Sequence, residues 1–458
     1  MWKPDLVVSD GAGYREIVDA IAKAIEDGEL RAGDRLPPLR DLAWHLKCNP
    51  TTVNRAYREA QARRLVAGEV GRGTFVLGTS PEAGLFALRA KAGQLIDLAI
   101  SRPVLPNGIT SMVDAVEQVS SIYPNVGDGY PDAELEIRSL QAASNWLSFR
   151  DRRLTSLSVL PTSGAHAALV AALGFWCRTG DNLLVEDPTF PGIRSIARQL
   201  RLNLVSVDCD NEGLIPEALE IAAHSYKASI VVAVPNLQNP TGVVMSNRRR
   251  AAIVDVIHSN RLMLIEDDVY GPLSGRPPLL GDLLAARSEV TADSADPGGS
   301  GMLISSLSKA VCPGLRFGML AAPSGLMAKL AADPHTTSWF VSPLSLAVGT
   351  MWLNDGSALR ATEWQRNEVA ARYALAQRIL DGLDLPTPSP MLWLPVQGEP
   401  DEVVARARAV GIGIVSGDAF TLKRHPQKHV RVCLSGAPDQ ETLAVALTRL
   451  RSVLESFR

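Results

Sequence analysis

Five short apolar runs constrain the fold of this chain more than any other feature. They are NLLVEDP (182–188), LNLVSVD (202–208), SIVVAVP (229–235), LMLIEDD (262–268) and GMLISSL (301–307), with helical or loop pattern between them. Continuous apolar runs of this length mark strands buried on both faces, as in a parallel sheet. Their alternation with amphipathic segments from about Leu95 onward predicts an α/β domain with a largely parallel sheet. A chain of 458 residues, 46% hydrophobic and 21% charged, can bury the cores of two or three such domains. No internal repeat is evident, and SEVTADSADPGGSG (288–301) reads as a mobile surface loop.

The first eighty residues have a different pattern. Ile17, Ile21, Ala24 and Ile25 recur at helical spacing, and Leu39, Leu42, Ala43 and Leu46 do so after a Pro-Pro stop. CNPTT then supplies a turn and cap for a third helix with the stripe Val53, Ala56, Tyr57, Ala60 and Leu65. VAGEVGRGTFVLG (66–78) gives two β runs about Gly71-Arg72-Gly73. Three helices and a hairpin of this size predict a winged helix-turn-helix (α+β), whose third helix enters the major groove of DNA. The expected boundaries are 12–78 for this module, 79–95 for a linker opened by the turn TSPEAG, and 96–458 for the α/β domain.

Charge has to be read locally. The chain carries a net −3, so no global field draws it to nucleic acid. Between Arg31 and Val76, however, nine Lys or Arg stand against four Asp or Glu, the surplus that phosphate neutralisation needs. The same surplus also suits a solvated helix face. Five scattered cysteines without a C-x-x-C spacing argue against a disulfide framework or a zinc site and fit a reducing cytoplasm. No run approaches the roughly 20 apolar residues that span a bilayer, and no membrane association is expected.

The chemistry-bearing residues lie mostly at the ends of the apolar runs. In Ser305-Ser306-Leu307-Ser308-Lys309, continued by CPGLRFG, the lysine can condense with an aldehyde cofactor, and hydroxyls with Arg316 can hold its phosphate. At VLPTSGAHAALVAAL (159–173), a strand meets Ser163-Gly164-Ala165 and a helix begins, so backbone N–H groups at a helix N-terminus face outward. Asn239 sits in a Pro-rich turn, where it can donate to a ring oxygen or cap the turn. Asp267 ends a strongly apolar run and would need a partner there; a protonated pyridine nitrogen is one. An exposed acid cluster is the alternative, and no nearby histidine or third acid supports a metal site.

The order of these residues is similar to two known families. G-E-L-R-A-G-D-R-L-P-P-L-R-D-L-A, T-T-V-N-R-A-Y and G-R-G-T-F-V resemble the GntR family of winged-helix regulators. That resemblance implies DNA contacts by Arg40, Thr51 and Thr52, by Asn54 and Arg55 at the start of the recognition helix, and by Arg72 and Gly73 at the wing tip. S-G-A, N-P-T-G, E-D-D-x-Y and S-x-S-K…P-G-L-R-x-G resemble the fold-type I aminotransferases. The second resemblance implies pyridoxal 5'-phosphate as cofactor, Lys309 as its Schiff-base residue and Asp267 as partner of the pyridine nitrogen. It places Tyr270 and Asn239 at the ring oxygen and Ser163, Gly164, Ala165, Ser306 and Arg316 on the phosphate. Phe190 then stacks on the ring, and Arg431, in HVRVCLS, pairs with a substrate or effector carboxylate.

The two together resemble the MocR subfamily. This implies a homodimeric, head-to-tail regulator that binds a double-stranded DNA operator and senses pyridoxal phosphate or an amino compound at Lys309. An active aminotransferase carrying an accessory DNA-binding module is the alternative.

Overall fold

The computed structural model describes residues 2–4, 6, 13–26, 29–30, 34–62, 65–69, 73–76, 95–104, 111–150, 157–275, 278–286, 301–332, 341–380, 382–383, 387–423 and 428–457. The chain divides into two compact units, Met1–Lys91 and Ala92–Arg458. Residues 79–94 of the expected linker and 288–300 of the expected surface loop lie outside the described residues.

In the first unit, α1 (Gly13–Glu26), α2 (Leu39–His45) and α3 (Pro50–Ala62) are followed by β1 (Val66–Glu69) and β2 (Gly73–Val76). Ile17, Val18, Ile21 and Ala24 of α1 pack in one core with Leu42, Ala43, Val53, Ala56, Tyr57 and Ala60. These are the residues whose 3.6-residue spacing puts them on one helical face. Leu39 differs: at the first position of α2 it is exposed, before the apolar stripe turns inward. The hairpin pairs Val66 with Val76 and Glu69 with Gly73, and Arg35 bridges to Phe75 beside it. The buried Tyr57 hydroxyl donates to the Pro37 carbonyl at 2.8 Å, tying α3 to the segment before α2.

The second unit opens with β3 (Ile96–Asp97) and contains β4 (Leu157–Thr162), β5 (Asn182–Asp187), β6 (Asn203–Asp210), β7 (Gly213–Leu214), β8 (Ile230–Ala233), β9 (Met263–Asp267), β10 (Gly301–Ser306) and β11 (Gly318–Pro323). Strands β4 to β11 form one eight-stranded sheet in the order β4-β11-β10-β9-β8-β5-β6-β7. The pairs β10–β9, β9–β8, β8–β5 and β5–β6 are parallel, while β11 runs antiparallel to both β10 and β4. The sheet is therefore largely parallel, with β11 and β7 reversed. Pro161 is accommodated because β4 is an edge strand.

Side chains alternate between two cores. Leu183, Val185, Ile230, Val232, Met263 and Ile265 enter one, with helices 165–176 and 343–354. Leu184, Val231, Ala233 and Leu264 enter the other, with helices 216–226 and 247–259. A strand that feeds both faces must be apolar throughout, which is why β5, β8, β9 and β10 lack the alternation of a half-exposed strand. β6 differs, burying Val205 and Val207 on one face while Asn203 and Asp208 are exposed, because it lies near the sheet edge.

A smaller three-stranded sheet joins β12 (Met391–Pro395), β15 (His429–Cys433) and β14 (Val415–Ser416) in that order, and β13 (Ile412–Gly413) pairs with β3. Helices 357–379, 400–409 and 440–455 contribute to its own core.

Candidate functional site

The carboxyl ends of β4, β10, β9, β8 and β5 lie on one edge of the large sheet, because β4 runs in the same direction as β10. Open α/β sheets bind ligands beyond this edge. Thr162, Gly318 and Ser306 form one row across β4, β11 and β10, and Ile304 pairs with Asp267.

At the end of β9, burial pushes the Asp267 carboxyl up to about 6. The Val269 N–H donates to it at 3.2 Å and pulls it down, Asp268 pushes it up, and Lys309 draws it down again. Lys309 follows β10 by three residues, in a single turn closed by Val311 N–H donating to Leu307 O at 2.8 Å. Its Nζ lies 5.4 Å from the centre of the buried Tyr270 ring and donates to the Ser101 carbonyl at 3.2 Å.

The strand-to-helix turn at 163–165 is shaped by glycine. Gly164 has φ +94°, and a Cβ there would lie 2.5 Å from Nη2 of Arg316, which donates to the Ser163 carbonyl at 3.4 Å. The helix beginning at Ala165 has no side-chain cap, so its first N–H groups are open to an anion. Ser308 Oγ, next to Lys309 in sequence, is buried and has no hydrogen-bond partner among the described residues. A guanidinium, hydroxyls and free helix-end N–H groups match a phosphate dianion, and an acid beyond them matches a protonated ring nitrogen. The residues present therefore fit pyridoxal 5'-phosphate.

Arg431 comes from β15. Its Nη1 donates to Asn239 Oδ1 at 2.9 Å, its Nη2 donates to the Ala99 carbonyl, and its guanidinium carbon sits 4.6 Å from the Phe420 ring centre. Among the described residues its buried Nε meets no oxygen or nitrogen acceptor, and the buried Cys433 thiol lies beside the guanidinium. Phe190 is half-buried against Gly192, where a Cβ would approach its ring to 2.3 Å.

The structure thus groups Lys309, Tyr270 and Asp267, groups Ser163, Gly164 and Arg316, and joins Asn239 to Arg431. Among the described residues no hydrogen bond joins Tyr270 to Asn239. Sequence reasoning did not find the carbonyls of Ala99 and Ser101, since a backbone acceptor has no residue signature. Phe420 carried no motif either, whereas Ser308 stood inside S-x-S-K and was open to recognition.

In the first unit, Arg40, Thr51, Asn54 and Arg55 are exposed and Thr52 is half-buried. Thr51 donates through N–H and Oγ1 to Asn49 Oδ1, at 2.9 and 2.8 Å, which fixes the start of α3. The Arg55 guanidinium carbon lies 4.0 Å from the Tyr14 ring centre. Gly73 has φ +119° and faces the Arg35 guanidinium, while Arg72 lies outside the described residues.

A family model for class I and II aminotransferases matches residues 96–450, and one for the bacterial regulatory proteins of the gntR family matches 13–76. The chain belongs to the class I and II aminotransferase family and carries a GntR-type head. It is 26% identical over its whole length to the uncharacterized HTH-type transcriptional regulator YdeF of Bacillus subtilis, covering 97% of that protein. It is 29% identical over 95% of its length to the vitamin B6 salvage pathway transcriptional repressor PtsJ of Salmonella typhimurium, covering 97% of it. The fold is shared with the kynurenine aminotransferase of Pyrococcus horikoshii, with a TM-score of 0.70 at 20% identity over 82% of this chain and 94% of that one. Both modules and their order agree with the MocR layout. Among the described residues no helix is long and apolar enough to cross a membrane.

Proposed function

We propose that this chain is a DNA-binding transcriptional regulator whose aminotransferase unit holds pyridoxal 5'-phosphate and reports on it, or on an amino compound that reaches it. One observation carries the reading: a GntR-type head and an aminotransferase fold, with Lys309 and Asp267 at the ends of neighbouring strands and Arg431 hydrogen-bonded to Asn239, occur in a single chain. Relatives that match it end to end bear the names of transcriptional regulators.

When bound, the cofactor supplies an aldehyde that condenses with primary amines and a ring that accepts electrons. Lys309 would supply the primary amine that holds the aldehyde. Gly164, Ala165, Ser163, Ser306 and Arg316 would hold the phosphate, the Asp267 carboxylate would accept from the protonated ring nitrogen, Tyr270 and Asn239 would take the ring oxygen, and Phe190 would cover a face. Arg431 receives the carboxylate of an amino-acid effector; a planar guanidinium already half turned to carbonyl acceptors is well suited to a bidentate pair. An effector shifts DNA affinity only through its preference for one arrangement of the protein over another. Arg40, Thr51, Thr52, Asn54 and Arg55 face the operator, with Arg72 and Gly73 at the wing.

The working form is a cytoplasmic homodimer. Six large apolar side chains between residues 112 and 140 are exposed (Met112, Val113, Ile122, Tyr130, Ile137 and Leu140), an unusual load for a surface that meets only water.

The test is the visible spectrum of the cofactor-loaded protein during addition of an amino acid and a keto acid, run beside an operator-binding assay. A band that shifts once and stays shifted, with a change in DNA affinity, is the expected result. Sustained turnover with unchanged DNA affinity makes the chain an enzyme with an accessory head. Absence of any band after cofactor addition removes the role of Lys309.

A further inference from the structure

The parallel strands β5 and β8 are hydrogen-bonded neighbours as far as Val185 and Val232. Beyond that point the ladder stops. The chain leaves β5 through 188–191, which carries Phe190, and leaves β8 through 234–243, which carries Asn239. Nothing in the sheet itself fixes one of these loops against the other.

Two buried side chains do so. Glu186 accepts from the Val234 N–H through Oε1 and from Gln238 Nε2 through Oε2, both at 2.9 Å. Gln238 Nε2 also donates to the Pro188 carbonyl at 2.7 Å, and its Oε1 accepts from the N–H and the hydroxyl of Thr241, at 3.0 and 2.8 Å. All four hydrogen-bonding positions of the Gln238 amide are filled, with the side chain only 2% exposed. Its backbone closes the same turn: its N–H donates to Val243 O at 2.9 Å and its carbonyl accepts from Gly242 N–H at 2.6 Å. Asn239, the next residue, is held at the tip of that turn and accepts from Arg431. A fully satisfied buried network of this kind fixes geometry more firmly than its bonds taken singly.

We infer that Gln238 is a positioning residue for the cofactor: it locks the loop of Phe190 to the loop of Asn239, so that the group over the ring face and the group at the ring oxygen keep one spacing. Glu186 anchors it from below. The inference rests on the proposed cofactor site, yet it concerns how that site is held rather than which residues touch the ring. Loss of the Gln238 amide frees the Pro188 carbonyl and the Thr241 donors together. The two loops then shift independently, and the ring loses its fixed orientation.

The experiment uses the full chain and pyridoxal 5'-phosphate itself. Gln238→Met keeps the length of the side chain and removes the amide. The expected result is cofactor binding weakened about tenfold, the equivalent of roughly 1.4 kcal/mol, with most of the circular dichroism of the bound cofactor's visible band lost. Thr241→Val, which removes one of the four bonds and sits on the half-buried outer side of the turn, should give a smaller change of the same sign. It also serves if Gln238→Met does not fold. Wild-type dichroism and affinity in both variants would overturn the inference, as would a fall in melting temperature alone. A wild-type chain that binds no cofactor refutes the cofactor site instead, which keeps the two failures apart.

Discussion

Gly164 and Arg316 approach so closely that a single methyl group at residue 164 would stand 2.5 Å from the Arg316 guanidinium. The backbone there has φ +94°, a value that side-chain-bearing residues rarely adopt. Gly164→Ala therefore strains the turn by about 1–2 kcal/mol and pushes the guanidinium off its place beside the Ser163 carbonyl. Weaker binding of free pyridoxal phosphate, by about tenfold or more, is the expected outcome in an absorbance titration. A variant that melts slightly lower but binds the cofactor normally would remove Arg316 from the phosphate.

Asp267 sets up a trade between stability and binding. Burial lifts its carboxyl from 3.8 to about 6, so the folded chain holds its proton more tightly than the unfolded chain does. The contribution is favourable below about 4, declines as pH rises to 6, and is a constant penalty above that. Asp267→Asn removes the ionisation, and the cofactor-free chain should gain on the order of 1–2 kcal/mol at pH 7. The same variant should hold pyridoxal phosphate less tightly, since a neutral amide does not favour a protonated ring nitrogen. Urea melts at pH 4 and pH 7 check the first half; a gain of equal size at both values would contradict it.

Arg431→Lys keeps the charge and removes the planar fork. The hydrogen bonds to Asn239 and Ala99 cannot both be made by one ammonium in the same geometry. Resting cofactor absorbance should stay, while the amino-acid concentration needed to shift it should rise roughly 10- to 100-fold, about 1.4–2.8 kcal/mol. An unchanged titration midpoint would show that no carboxylate reaches this arginine.

Arg250 is wholly buried and donates to the carbonyls of Met245, Pro278 and Pro235 and to Asn236 Oδ1; Asn236 in turn donates to Asp268. Arg250→Met removes the guanidinium from all four acceptors and leaves the Pro235 carbonyl with the Met245 N–H alone. Denaturant unfolding should register a loss of about 3–5 kcal/mol. A loss below about 1 kcal/mol would mean that water or a rearranged loop replaces the guanidinium.

Arg55 lies on the exposed side of α3 with its guanidinium over Tyr14. If it meets a phosphate, Arg55→Ala should lower the slope of log affinity against log salt by about 0.9 and weaken all duplexes alike. A slope that does not change, with affinity lost for one sequence only, would make Arg55 a reader of bases.

By itself the sequence determined most of the elements and pointed to the candidate groups proposed to bear the chemistry. Strands buried on both faces cannot hide their composition, so β5, β8, β9 and β10 stood out as apolar runs, and helices with one buried face stood out by their spacing. Lys309, Asp267 and Gly164 were legible because each breaks a local rule at the end of a run: a cation after serines, an acid after buried aliphatics, a glycine where a helix starts. Tertiary structure decided what surrounds them. Ser101 and Ala99 enter through their carbonyls, which every residue possesses, so no pattern of side chains could point to them. Gln238 reaches Glu186, 52 positions earlier, only because β5 and β8 are neighbours in the sheet. Strand order is set by how helices cover both faces, a long-range packing outcome that no short stretch of sequence records.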